Sequence, residues 1–147
     1  MKNKYYTPDL EEFHIGFEYE FLEHHGSPDE QWVVKKLQVI NDYENDPYLG
    51  DTLVALEHYD NIFLRNAWRV KYLNIEDLES LGWKCLTEFP NGFNAGLFLK
   101  GKYRAAISFD TKSIDIVDTT RIDHNTLFQG YIKNKSEFKR LMKLLNI

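Results

Sequence analysis

Glu18 and Glu20 are the residues of this 147-residue chain whose type and spacing point most directly to chemistry. They lie in Phe13-His14-Ile15-Gly16-Phe17-Glu18-Tyr19-Glu20-Phe21, where apolar and polar residues alternate. On a strand, that period puts Phe13, Ile15, Phe17, Tyr19 and Phe21 on one face and His14, Gly16, Glu18 and Glu20 on the other. Two carboxylates on one face could serve acid–base catalysis or share a divalent cation with a distant carboxylate. Glycoside hydrolysis would further demand a defined separation across the scissile bond. His14 shares the face, and His24-His25 follows the strand, so a loop folding back could assemble a zinc site. Same-face acids two residues apart establish proximity alone. The sequence therefore assigns no catalytic residue and no metal site. His14, Glu18 and Glu20 form a polar cluster that exposure to water, or pairing with Lys or Arg on a neighbouring strand, explains more simply.

A second set is basic: Lys133, Lys135, Lys139, Arg140 and Lys143, with one acid among residues 131–147. It faces an opposite bias near the other end, where Thr7 to Gln31 holds eight acids and no Lys or Arg. The basic set is a candidate surface for a partner protein's acidic patch, or for the acidic region of a second copy. Nucleic-acid phosphates are the alternative partner, with Tyr131 available for stacking. Cys85 is the single cysteine, so no intramolecular disulfide forms, and no base or electropositive setting marks it as a nucleophile. No Gly-rich run matches a phosphate loop or a dinucleotide fingerprint, and no cofactor is expected.

The elements that must hold these residues follow from period and punctuation. A strand is expected over 13–23, then a Gly/Pro-interrupted loop, then a second strand from Gln31 to Val39 that completes a hairpin. Asn41 to Asp51 is acidic and turn-rich, and residues 51–60 suit a helix or mixed turn. Arg69 to Leu73 is a compact strand candidate. Asn74 can cap a short helix over Ile75–Leu81, with Asp77 as the reciprocal partner and Gly82 as its left-handed stop. Trp83–Leu86, Ala95–Leu99, Tyr103–Phe109 and Ser113–Asp118 read as strands, with Pro90-Asn91-Gly92 as a turn, and the last three suggest an antiparallel meander. In Ser113–Asp118, Ile114 and Ile116 face one way, with Asp115 and Val117 the other. Leu127–Ile132 is a final extended segment. Phe138, Leu141, Met142 and Leu145 then make an i, i+3, i+4, i+7 stripe, which marks an amphipathic C-terminal helix.

The chain is expected to form a single compact α+β domain over 1–147. Its core would be a bent antiparallel sheet, with barrel closure as one outcome, a short central helix and the C-terminal helix. At 43% hydrophobic residues it can bury a core and is not generally disordered. No apolar run approaches the ~18 residues of a membrane-spanning helix, and no apolar segment follows the basic N-terminus, so a cytoplasmic setting is expected. Tyr6-Thr7-Pro8, Phe13–Glu20, Arg69–Leu73, Glu76–Trp83 and Ile132–Glu137 resemble blocks in small uncharacterised proteins of Bacteroidetes and their phages or prophages. The resemblance implies a mobile-element origin and carries no activity, so no residue role follows from it. The expected function is a non-enzymatic intracellular protein-interaction or accessory module, self-association included. Nucleic-acid binding through the C-terminal helix is the alternative, and a small metal-dependent hydrolase the remote one.

Overall fold

The structure, a computed structural model, describes residues 4–37, 66–88, 94–120 and 125–147. The expected helix over 51–60, the Pro90-Asn91-Gly92 turn, His58 and His124 lie outside the described residues. The chain divides into two compact units, Met1–Lys71 and Tyr72–Ile147. Each has its own sheet and its own buried cluster.

The first unit is a four-stranded antiparallel sheet of β1 (Tyr5–Tyr6), β2 (Glu18–Glu23), β3 (Gln31–Lys36) and β4 (Trp68–Lys71), in the order β1-β4-β2-β3. A single 3-10 turn, Leu10–Glu12, lies between β1 and β2. The hairpin of β2 and β3 forms as expected, with Glu18 opposite Lys36 and Glu23 opposite Gln31. The first strand starts five residues later than its alternation suggests. Gly16 has φ +87°, a left-handed conformation that side chains with a Cβ rarely adopt, and the Phe17 N–H donates to His14 O at 2.8 Å. This turn replaces the first half of the expected strand and leaves Ile15 67% exposed. Phe13 still reaches the core, from the loop, with its ring 5.1 Å from both Phe17 and Trp68. Tyr19, Trp68 and Val70 complete a cluster built mainly from aromatic rings.

The second unit opens with α1 (Ile75–Ser80). Asn74 Oδ1 accepts from the Asp77 N–H at 2.9 Å, while the Asn74 N–H donates to Asp77 Oδ2 at 3.3 Å, so two otherwise unmatched donors are satisfied reciprocally. Gly82 at φ +83° ends the helix, and the Trp83 N–H closes back on Leu78 O. A meander follows: β5 (Lys84–Glu88), β6 (Ala95–Lys100), β7 (Tyr103–Ser108), β8 (Ser113–Asp118) and β9 (Asn125–Tyr131), paired antiparallel in sequence order. Then comes α2 (Lys135–Leu145), capped by Asn134 Oδ1 on the Glu137 N–H at 2.9 Å. Phe138, Leu141 and Met142 are buried with Phe98, Ile107, Ile114 and Ile116, so the helix covers one face of the sheet. The protein is thus α+β with antiparallel sheets. Among the described residues the antiparallel strands form two sheets, neither closed into a barrel, with β1 and β3 at the edges of one and β5 and β9 at the edges of the other.

Candidate binding face of the five-stranded sheet

Strand alternation dictates what the meander offers on the face away from α2. The buried rows, Phe98-Ala105-Ile116-Phe128 and Gly96-Ile107-Ile114-Gly130, face the helix. The intervening rows face the other way: Ala95-Ser108-Ser113-Tyr131 and Leu97-Ala106-Asp115-Gln129. Ala95, Ala106, Ser108 and Ser113 are small, and their short side chains leave a hollow of about 500 Å³ over β6–β9. Tyr131, 76% exposed, lines it from the edge strand, and Ala106 lies open within it.

Asp115 also lines the hollow. Its Oδ1 is buried and has no hydrogen-bond partner among the described residues. An acceptor desolvated in this way costs about 1–3 kcal/mol relative to a satisfied one. No Lys, Arg or His lines the hollow, and no ion pair joins Asp115 to Arg104, the next residue but one along β7 from Ala106, among the described residues. The other carboxylate of β8 is answered. Asp118, at the other end of β8, accepts from Lys102 Nζ at 2.8 Å and from Thr120, and these contacts hold its carboxyl well below the ordinary range. The same contact raises Lys102.

The residues singled out from sequence are distributed differently. His14 is not on β2: it precedes the Gly16 turn, and its Nδ1 lies 2.8 Å from Glu12 O. Glu18 and Glu20 do share a face of β2, and Glu20 sits directly opposite Arg69, with its Oε2 2.5 Å from Arg69 Nε. The Arg69 guanidinium carbon also lies 4.0 Å from the centre of the Tyr5 ring and 3.9 Å from that of Trp32. Glu20 therefore belongs to a closed ion pair between two rings. Among the described residues no group of three His, Cys, Asp or Glu is placed to hold a metal ion.

The basic set is split by its own helix. Lys135 lies 3.8 Å from Asp77 Oδ1, Lys133 precedes the helix and gives its N–H to Glu137 Oε2 at 2.6 Å, and Lys139 is half-buried. Arg140 and Lys143 are exposed, next to Leu144 at 71%. Sequence reasoning missed the hollow. Its available signal was Asp115 between two isoleucines, aligned across strands with residues too small to cover it. Comparison with protein-family models, with curated proteins and with solved structures found no match to this chain.

Proposed function

We propose that the protein is a non-enzymatic, intracellular protein-interaction or accessory module of phage or prophage origin, and that the face of its five-stranded sheet away from α2 is the binding surface. The observation that carries this reading is the hollow itself, which combines small residues, an open tyrosine and a desolvated acceptor on one side of a hydrogen-bonded meander. A rigid sheet presents such groups without first ordering them, which lowers the entropic cost of association. Arg140, Lys143 and Leu144 on α2 offer a smaller surface, since Lys135 is already paired with Asp77.

A photo-crosslinking amino acid at position 129, where it replaces the long exposed Gln129 side chain at the hollow, and separately at position 140, tests the assignment in cells that produce the protein. A protein crosslink at 129 that exceeds the one at 140 is the expected result. No crosslink at either position, together with a strictly monomeric sedimentation profile, overturns it. A labelled DNA or RNA strand bound at low salt and released as salt rises would favour the nucleic-acid alternative instead.

A further inference from the structure

One oxygen of the half-buried Asp115 carboxylate has no partner among the described residues. Its Oδ1 is shut off from solvent, and among the described residues no group donates to it and no cationic side chain lines the hollow beside it. On the neighbouring strand Gln129 is its direct partner and Tyr131 lies two residues further along on the same face. Such diagonal neighbours lie about 7–8 Å apart, with their Cβ atoms somewhat closer, within reach of one group that touches both side chains. A carboxylate and an open aromatic ring at that separation are complementary to one kind of group, a cation that donates hydrogen bonds to the first and packs on the face of the second.

The molecule contains a finished example of this arrangement. In the first unit the Arg69 guanidinium sits on the Trp32 and Tyr5 rings and pairs with Glu20. Glu20 is opposite Val34, so Trp32 is two residues from its cross-strand partner, again a diagonal relation of carboxylate and ring. In the second unit the carboxylate and the ring are present and the cation is missing among the described residues.

Resting on the protein-interaction reading above, we propose that the hollow takes a Lys or Arg side chain of a partner protein, with Asp115 pairing the charge and Tyr131 packing on it. The cation comes from a chain lying across the sheet. A hollow lined by one face of a sheet cannot enclose most of a free small amine, so the remaining contact must come from the segment that carries the side chain.

The test uses the full chain, ¹⁵N-labelled, and two synthetic octapeptides of alternating threonine and valine. One carries a central arginine and the other citrulline, its neutral counterpart. The arginine peptide is expected to shift the amides of Ala106, Asp115, Gln129 and Tyr131 saturably, with the citrulline peptide at least about tenfold weaker. Asp115→Asn abolishes that preference, Tyr131→Ala weakens the arginine peptide several-fold, and Ala106→Leu, which fills the hollow and leaves the carboxylate in place, weakens both peptides. Equal binding of the two peptides, shifts confined to other surfaces, or free arginine amide binding as tightly as the peptide each overturns the proposal. The crosslink at position 129 separates the two readings. A protein crosslink undiminished by Asp115→Asn overturns the cation pairing and leaves the interaction reading standing. Peptide binding at the hollow without any protein crosslink overturns the interaction reading, and with it the protein source of the cation.

Discussion

On the four-stranded sheet, the face carrying Glu18 and Glu20 satisfies itself: Arg69 lies between the rings of Tyr5 and Trp32, and Glu20 closes the pair. On the five-stranded sheet, the face away from α2 holds a carboxylate and a tyrosine with no cation between them among the described residues. The groups are similar and the backbone geometry is the same antiparallel pairing. The difference lies in what the neighbouring strand presents. β4 supplies Arg69 directly opposite Glu20, whereas β7 and β9 supply Ala106 and Gln129 opposite Asp115. A closed pair contributes to stability, while an open one forgoes stability and leaves binding free energy for something outside the chain. Local rule-breaking of this kind is where function is expected in an otherwise consistent fold.

The contrast can be broken at four points. The largest effect is expected from Trp68→Ala, which removes a ring that is 1% exposed and within 5.1 Å of those of Phe13, Tyr19 and Phe21. Loss of about 3–5 kcal/mol should appear as lost amide protection in β2 and β4. Retained protection in β6–β8 would sustain the division into two units, and uniform loss would erase it. Arg69→Ala should cost about 2 kcal/mol in urea unfolding, because it strands the Glu20 carboxylate and two ring contacts. Adding Glu20→Gln should recover part of that loss, and an Arg69→Ala protein as stable as the parent would show that the closed site contributes nothing.

Asp115→Ala carries the opposite sign. Removing a desolvated, unmatched acceptor should raise stability by about 1 kcal/mol, and a comparable loss would mean that Asp115 has a structural partner. The smallest effect concerns pH and the closed pair of Lys102 and Asp118. Asp118 has a folded pKa below its unfolded value, so its contribution is complete above about pH 4 and is lost as pH falls below that. Lys102 is shifted the other way, so its contribution is present below about pH 10 and is lost as pH rises above that. Asp118→Asn should flatten the decline in urea midpoint between pH 4 and pH 2. An unchanged slope would remove this pair from the comparison.

Much of the second unit was legible in the residues themselves. The cap at Asn74, the stop at Gly82, the strands of the meander and the apolar stripe of α2 depend on neighbours within a few positions, and they formed where the period and punctuation placed them. Leu145, expected on the stripe, is half-buried rather than buried, since it lies in the last turn. The alternation over 13–21 misled because two conformations share one pattern. Phe13 packs from a loop and Tyr19 from a strand, with the left-handed Gly16 between them. The division after Lys71 was also illegible, because Val70 and Leu73 read as neighbours in one strand candidate yet enter different buried clusters.

By itself the sequence determined an α+β protein with an antiparallel meander and a C-terminal helix, because caps, turns and hydrophobic periods act over short separations. Tertiary structure alone decided which charges are answered. Glu20 meets Arg69 across 49 residues of chain, and Asp115 meets only alanine and glutamine on its neighbouring strands. That outcome depends on strand order and register, which no local pattern encodes, since a shift of one residue in pairing moves every side chain to the other face.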